Sequence, residues 1–290
     1  MLKTAIKRVV KTLGFEWPEI LEKIDAVSLR HALQESRLTE MAAKLTGIVP
    51  DVAAQYSRTR ERTESWKLKM RGLQAFQVAM MLRALQPFPA RKVTVVDIGD
   101  SAGTHMLYLK EIVRDQAEVD TISVNLDPRA VEKIKAQGLV AILCRAEELD
   151  LPGIDIDLFT SFEMVEHLHN PAIFFYRLAR KSTGKKILIT VPYVKTSRVG
   201  LHHVRQNSRE AVFAEDEHIF ELCPEDWHLL MLHSGWRVIH SEIYYQYPRH
   251  WPIMSRFMAY YWRRRDYEGF WGAILEKDLT FANCYRDWED

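Results

Sequence analysis

The segment Val95–Leu107, VVDIGDSAGTHML, constrains the fold of this chain more than any other. It begins as an apolar run rich in β-branched residues, which is typical of a buried strand. A turn with two glycines follows, and the next residues have the apolar spacing of a helix. A strand, a tight turn and a helix in this order form the first part of a βα unit, which predicts a parallel sheet.

The rest of the chain divides into a helical part and an α/β part. Residues 1–90 show helical spacing, so we expect a helical N-terminal region (1–90) before an α/β domain (91–290). PEDWHLLMLHSG predicts a late helix, and WRVIHSEIYY and FWGAILEKD predict strands separated by an aromatic, arginine-rich connector. Earlier strands are predicted at Val93–Ile98, Thr121–Leu126, Val140–Cys144, Asp157–Ser161 and Lys186–Pro192, and helices at Thr104–Arg114, Pro128–Gln137 and Pro171–Lys181.

The glycine turn allows two interpretations. Its letters G-D-S-A-G match the nucleophile elbow G-x-S-x-G of serine hydrolases, in which Ser101 would attack the substrate. That fold places several strands and an oxyanion loop before the elbow, whereas a long helical region precedes it here. Together with Asp97, the same letters match a nucleotide-binding turn, where glycines let the backbone approach a ligand at a helix N-terminus. The context favours the nucleotide interpretation.

Composition and charge narrow the classes of partner. Forty basic and 39 acidic residues give a net charge of +1, so we do not expect a nucleic-acid partner. The three cysteines, Cys144, Cys223 and Cys284, have no metal or redox spacing and fit a reducing compartment. No apolar run reaches the roughly 18 residues of a membrane span, and the N-terminus lacks a signal-peptide pattern. We therefore expect a cytoplasmic protein.

Five segments, in order, resemble the motifs of class I S-adenosylmethionine (SAM) dependent methyltransferases. Asp97, Gly99 and Gly103 match the family's first motif, D-x-G-x-G-x-G, with Ser101 at the middle glycine. VNLDPRAVEKI, CRAEELDLP, DLFTSFEMVEHLHNP and DEHIFELCPEDWHLLMLHSGWRV resemble the later motifs, and the match spans Val93–Val238, about half of the chain. The resemblance implies a Rossmann-like, seven-stranded, mostly parallel sheet and a methyltransferase that uses SAM as cofactor.

The resemblance also assigns residues to the cofactor. Carried over to this chain, the cofactor-binding residues are Asp97, Gly99, Asp100, Ser101, Gly103, Asn125, Asp127, Ala146, Glu147, Ser161 and Phe162. Ser101, Asn125 and Arg145 replace residues typical of the family, and the amide of Asn125 binds a hydroxyl less strongly than a carboxylate would. A degenerate protein that binds SAM without catalysis is therefore the alternative to an active enzyme.

The stretch after the fourth predicted strand, FEMVEHLHN, carries the candidate catalytic groups. Glu163, Glu166 and His167 are spaced i, i+3 and i+4, so one helical turn would place them on one face. Together with His218 they form a set that suits a divalent metal ion such as Mg²⁺, and some relatives of similar sequence use such a set. In the alternative without a metal, Glu163, His167 and His218 line the site or provide a base for the acceptor.

Regions outside the motifs bear on the methyl acceptor. MLKTAIKRVVKTLGF predicts a basic amphipathic helix that either contacts a membrane peripherally, through residues 1–14, or packs on the protein itself. The aromatic residues and arginines of the connector suit sugars, anionic ligands or lipid headgroups, or simple packing. Tyr193 and the loop with His202, His203 and Arg205 are candidates to line a substrate site. We expect O-methylation of a small-molecule, glycan or lipid-linked acceptor.

Overall fold

A computed structural model describes residues 17–55, 63–89, 91–212 and 217–285, so the predicted helix at residues 1–14 lies outside them. The strands are β1 (Val93–Ile98), β2 (Val119–Asn125), β3 (Val140–Leu143), β4 (Leu158–Phe162), β5 (Lys186–Pro192), β6 (Arg198–Val199), β7 (Phe220–Glu221), β8 (Trp236–Tyr245) and β9 (Gly269–Lys277). The α-helices are α1 (Trp17–Glu35), α2 (Thr39–Ile48), α3 (Glu64–Leu85), α4 (Thr104–Val113), α5 (Pro128–Ala136), α6 (Pro171–Lys181), α7 (His202–Arg205), α8 (Pro224–His233) and α9 (Pro252–Arg265). Within the described ranges, no helix has the length and apolar character to cross a bilayer.

Seven strands form one sheet in the order β3-β2-β1-β4-β5-β9-β8, while β6 and β7 form a separate two-stranded ladder. Strands β1 to β5 are parallel, β9 is antiparallel to β5, and β8 is antiparallel to β9. The strand order reverses between β1 and β4, and in open α/β sheets this point forms a ligand crevice at the carboxyl ends of the strands. The arrangement confirms the predicted Rossmann-like, mostly parallel sheet.

Helices cover both faces of the sheet. On one face, Phe76 of α3 shares a hydrophobic core with Leu109 of α4 and Ile134 of α5. On the other face, Phe174 of α6 and Trp227 of α8 pack on the sheet. Helix α3 therefore belongs to the same core as the strands although it precedes residue 90, and the division into domains 1–90 and 91–290 stays a prediction.

Helix α9 is the largest difference from the predicted elements, because its segment was expected to be a connector. It buries Met258, Ala259 and Trp262 in a cluster with Leu29 of α1, yet its opposite face is also apolar. A helix with apolar residues on both sides shows no clear helical periodicity in sequence. The strands and helices predicted between residues 91 and 290 differ from the observed ones by at most two residues at their ends.

The packing of α3 on β9 predicts a stability change. A Cβ atom built on Gly272 of β9 would lie 2.8 Å from Phe76 Cζ. We expect Gly272→Ala to lower the free energy of unfolding by about 1–3 kcal/mol, because the added methyl overpacks this contact. Urea unfolding measures the change. The control Gly47→Ala in α2 meets no atom within 4 Å and should be neutral or stabilising by up to about 1 kcal/mol. Wild-type stability in the Gly272 variant would contradict the contact.

Candidate functional site

A buried carboxylate holds the turn after β1 from inside. Gly99 and Gly103 adopt left-handed φ angles of +93° and +72°, which glycine adopts without a steric penalty. Between them, Asp100 Oδ1 accepts hydrogen bonds from the N–H groups of Ala102 (3.0 Å) and Gly103 (2.7 Å). Asp100 Oδ2 accepts a third from Ser123 Oγ (2.7 Å). Asp100 is a predicted cofactor-binding residue, and its side chain thus hydrogen-bonds the backbone of the turn.

Two buried polar groups lie beside this turn, at the carboxyl ends of β1 and β4. Asp97 Oδ1 accepts a hydrogen bond from Thr160 Oγ1 (2.8 Å), but Asp97 Oδ2 has no partner among the described residues. Ser161 Oγ is likewise buried without a partner in that part of the chain. Burial and the neighbouring Asp100 carboxylate raise the pKa of Asp97 well above its usual value. Unpaired buried polar atoms are costly, so two of them at one sheet edge are typical of a ligand site.

The polar residues after β2 are partly engaged with the protein. Asn125 Nδ2 donates to the Asp100 carbonyl, and Asn125 Oδ1 accepts from the Asp127 N–H, both at 2.8 Å. Each of these amide atoms has capacity for one further hydrogen bond. Asp127 caps α5 by accepting from the Arg129 N–H at 2.9 Å. Asn125 and Asp127 both keep hydrogen-bonding capacity for a hydroxyl, Asn125 through its second bonds and Asp127 through Oδ2.

The remaining predicted cofactor residues lie at the same edge of the sheet. Ala146 and Glu147 form a half-buried 3₁₀ turn after β3. Ser101 is half-buried within the glycine turn. Phe162 ends β4, and its ring centre lies 4.5 Å from that of the buried His105. These positions lie at the carboxyl ends of β3, β1 and β4.

Glu163 follows β4 with a φ of +49°, a conformation that is strained for a residue other than glycine. The Glu163 N–H donates to the Thr190 carbonyl of β5 at 2.9 Å, which continues the strand pairing and prevents a helix from starting here. A short 3₁₀ helix, Val165–His167, follows instead. The expectation that Glu163, Glu166 and His167 share one helical face is therefore wrong. Burial raises the pKa of Glu163 to about 8.

Glu166, His167 and His218 form a compact group of metal-ligand type. One potential ligand atom from each side chain lies within 4.8 Å of the other two. Glu166 is 1% exposed, and neither of its carboxylate oxygens has a hydrogen-bond partner among the described residues. Burial and the Glu163 carboxylate raise the pKa of Glu166 well above its usual value. Three of the four predicted metal ligands are thus brought together, and Glu163 is not part of their group.

The hydrogen-bond partners of both histidines of this group select the neutral tautomer with the lone pair on Nε2. His167 Nδ1 lies 3.0 Å from the Glu217 carbonyl, which accepts only, so Nδ1 bears the proton. His218 Nδ1 lies 2.8 Å from the Tyr267 hydroxyl, which donates its own proton to Glu221 Oε1 (2.6 Å). His218 Nδ1 is therefore also a donor. Such outer carbonyl and carboxylate partners orient histidines that bind metals.

A buried hydrogen-bonded chain, which the sequence analysis missed, leads from α4 to Glu163. His105 Nε2 donates to Gln77 Oε1 of α3, and Gln77 Nε2 donates to Thr190 Oγ1, both at 2.8 Å. Thr190 in turn hydrogen-bonds the Glu163 carboxyl. Burial lowers the pKa of His105 to about 3, so the ring is neutral. Gln77 within the apolar segment LQAFQVAMM was the available signal, since a polar residue on a buried face needs a partner.

A cavity of about 540 Å³ opens where β5 and β8 end. Tyr193 and Tyr245 line it together with two cations and two acids, which are Lys195, Arg249, Glu225 and Glu242. The Arg249 guanidinium lies 4.3 Å from the centre of the Tyr245 ring. The volume of this cavity lies in the range of small-molecule sites. Tyr193, a predicted substrate-lining residue, therefore borders a cavity of suitable size.

The predicted substrate loop is engaged with side-chain and backbone groups of the protein itself. His202, His203 and Arg205 lie in α7, where His203 Nδ1 is 3.1 Å from Glu217 Oε2. Arg205 Nε donates to the Gly200 carbonyl at 2.6 Å. These contacts hold the β6–β7 loop that carries His218.

Solved structures with the same fold are methyltransferases and related enzymes. An O-methyltransferase from a trans-AT polyketide synthase of Brevibacillus brevis, bound to S-adenosyl-L-homocysteine, is 14% identical, with a TM-score of 0.51 over 75% of this chain and 76% of that one. The cyclopropane synthase MmaA2 from Mycobacterium tuberculosis is 13% identical (TM-score 0.51, 81% and 94% covered). The 1,6-didemethyltoxoflavin-N1-methyltransferase of Burkholderia thailandensis is 16% identical (TM-score 0.50, 82% and 89% covered). No protein-family model and no curated protein matches the sequence.

At such low sequence identities, the similarity between this chain and the solved structures concerns only the fold. The chain has the fold of the class I SAM-dependent methyltransferases, with the strand order, the glycine turn after β1 and the antiparallel β9 inserted next to β5. This finding confirms the predicted fold.

The neutral His105 predicts an acid-dependent loss of stability. The unfolded chain protonates this histidine below about pH 6.5, whereas the folded chain does so only near about pH 3, so stability falls as the pH falls between these values. Between about pH 7.5 and about pH 5, this residue should lower the free energy of unfolding by about 2 kcal/mol. Urea unfolding of wild type and of His105→Gln at both pH values measures how much of the pH dependence of stability comes from His105. An equal pH dependence in both proteins would contradict a buried neutral ring.

Proposed function

We propose that this chain is a SAM-dependent methyltransferase that methylates an oxygen atom of a small-molecule, glycan or lipid-linked acceptor. The observation that carries the proposal is a pair of buried groups beside the glycine turn, Asp97 Oδ2 and Ser161 Oγ, at the point where the strand order reverses; neither has a hydrogen-bond partner in the described part of the chain. A carboxylate at this edge complements the positive sulfonium and ammonium groups of SAM. A hydrolase would need an oxyanion hole around Ser101, and among the described residues before β1 no strand supplies one.

The residues of the crevice fit the parts of SAM. The backbone of the turn Gly99–Gly103 would lie against its amino-acid part, the amide of Asn125 would bind the ribose hydroxyls, and Ala146 and Glu147 would border the adenine. When bound, SAM supplies an activated methyl group that leaves by in-line displacement. The protein then contributes orientation and exclusion of water.

An oxygen acceptor must also lose a proton. Glu163, whose pKa burial raises to about 8, is a stronger base than an ordinary carboxylate and lies directly after β4. The cavity beside Tyr193 provides room for the acceptor next to the ends of β5 and β8. Its wall carries two cations, Lys195 and Arg249, and two acids, Glu225 and Glu242, so it suits a polar acceptor.

We further propose that Glu166, His167 and His218 hold a divalent cation, Mg²⁺ or a similar ion, with Glu163 as the nearest additional carboxylate in sequence. The support is the Glu166 carboxylate, which is buried without a hydrogen-bond partner in the described residues, and the two Nε2 lone pairs beside it. A cation in such a site would lower the pKa of an acceptor hydroxyl.

Calorimetry with SAM tests the cofactor site. We expect Asp97→Asn and Ser161→Ala each to weaken SAM binding, the former by about tenfold or more, because a charge-assisted contact is lost. Asp120→Asn, at an exposed acid near the start of β2, is the control and should bind normally. Unchanged affinity in Asp97→Asn would refute the assignment. The serine hydrolase would be established instead if the wild-type protein had no affinity for SAM and hydrolysed an ester, and if Ser101→Ala abolished that hydrolysis.

Binding of Mn²⁺, followed by electron paramagnetic resonance, tests the metal site. We expect Glu166→Gln and His218→Ala to weaken Mn²⁺ binding by more than about tenfold and to leave SAM affinity intact. His240→Ala, which removes an exposed pair with Glu242, is the matched control. If wild type binds no Mn²⁺ and EDTA does not lower methyl transfer, the group serves only as site-lining side chains.

A further inference from the structure

Helix α9 exposes an apolar stripe from its N-terminal end to Tyr260. Ile253, Phe257 and Tyr260 are spaced i, i+4 and i+7 and are 88%, 62% and 57% exposed. Trp251 and Met254, at the N-terminal end of the helix, are also exposed. Exposed apolar residues are ordinary when they are scattered, but a continuous stripe of large ones marks a contact surface.

The opposite face of α9 fixes this orientation. Met258 and Trp262 are buried in a cluster with Leu29 of α1, and Trp262 Nε1 donates to Ser28 Oγ at 3.0 Å. Tyr261 donates to Asp25 Oδ1 at 2.7 Å. Because α1 holds the inner face in place, the stripe cannot turn inward without loss of this cluster.

The charge around the stripe is positive. Arg256 and Arg264 are exposed beside it, and within the described part of the chain neither forms an ion pair. The Arg264 guanidinium lies 5.4 Å from the centre of the Tyr260 ring. By contrast, Arg263 and Arg265 turn toward acids of the protein body. The stripe thus combines apolar side chains, tyrosine, tryptophan and two uncompensated arginines.

We propose that this face of α9 docks on the surface of an anionic lipid bilayer. Aromatic and aliphatic side chains of a helix that lies in the interface enter the boundary of the acyl chains, and arginines bind the lipid phosphates. Tryptophan and tyrosine are the residues that favour this boundary.

Charge complementarity favours an anionic bilayer over two other occupants of the stripe, the N-terminal segment of the same chain and a second copy of the chain. Residues 1–16 of the same chain have apolar positions that suit the stripe, but they carry Lys3, Lys7, Arg8 and Lys11, which the arginines of α9 repel. A second copy of the chain that docked through the same face would bring its own arginines close to Arg256 and Arg264 of the first copy. An anionic surface attracts both the α9 arginines and the basic N-terminal segment.

Co-sedimentation of the full chain with vesicles tests the proposal. We expect binding to vesicles of equimolar phosphatidylcholine and phosphatidylglycerol, weaker binding to phosphatidylcholine alone, and a loss of binding as salt is added. Ile253→Ser with Phe257→Ser should lower the partition by more than about tenfold, since two exposed apolar side chains no longer insert. Arg256→Gln with Arg264→Gln should lower it by about tenfold on anionic vesicles and leave it unchanged on neutral ones.

The control is Leu229→Ser on α8, which removes another exposed aliphatic side chain and should bind vesicles as wild type does. Thermal unfolding and SAM affinity should be unchanged in every variant, which separates this proposal from that of the methyltransferase site. Wild-type binding by both double variants would overturn the proposal. Vesicle binding that depends only on Lys3, Lys7, Arg8 and Lys11 would also overturn it. So would a wild-type dimer, seen by sedimentation in the absence of vesicles, that Phe257→Ser dissociates.

Discussion

The carboxylate of Asp100 is the contact on which the shape of the crevice depends. It bonds two N–H groups of the glycine turn and Ser123 of β2, and its own carbonyl accepts from Asn125. One residue therefore ties the end of β1, the end of β2 and the start of α4 together. Because the three side-chain bonds involve an ionisable, buried acceptor, their loss would leave a charge or several donors unsatisfied. The position of the turn relative to Asn125 follows from this residue.

The carboxyl edge of the sheet is also unusual in its electrostatics. Asp97 and Glu166 are buried there and Glu163 is half-buried, and desolvation raises the pKa of each. Few hydrogen bonds offset this cost among the described residues, since each of the three has at least one oxygen without a partner. A positively charged ligand would offset it by pairing with these groups. A sulfonium cofactor and a divalent cation are both ligands of this type, so the two proposals for the site rest on the same physical property.

The peripheral elements place two surfaces close together in the chain. Arg249 lines the cavity at the end of β8, and Trp251 begins the exposed stripe of α9 two residues later. The β8–α9 connection therefore links the candidate acceptor cavity to the candidate lipid surface.

Local patterns were sufficient for the elements that alternate cleanly between strand and helix. The βα units from β1 to α6 lie within two residues of their predicted bounds, because a buried strand and an amphipathic helix each have a strong periodicity. Glu163 was mispredicted because its spacing to Glu166 and His167 suits a helix, whereas pairing with β5 holds it in a left-handed conformation. Gln77 in its apolar segment indicated that a buried partner was needed, but the sequence did not identify His105 or Thr190 as the partners because they are distant in sequence.

The α/β class, the order of the motifs and the residues around the glycine turn could be read from the amino-acid sequence, since these depend on local periodicity and on residue type. The tertiary structure was needed to show that Asp100 and Asp127 are engaged with the backbone of the turn and of α5. It alone brought His218 to Glu166 and His167, and left one face of α9 exposed. The physical reason is that burial, pairing and exposure are properties of contacts between distant segments, which no local pattern specifies.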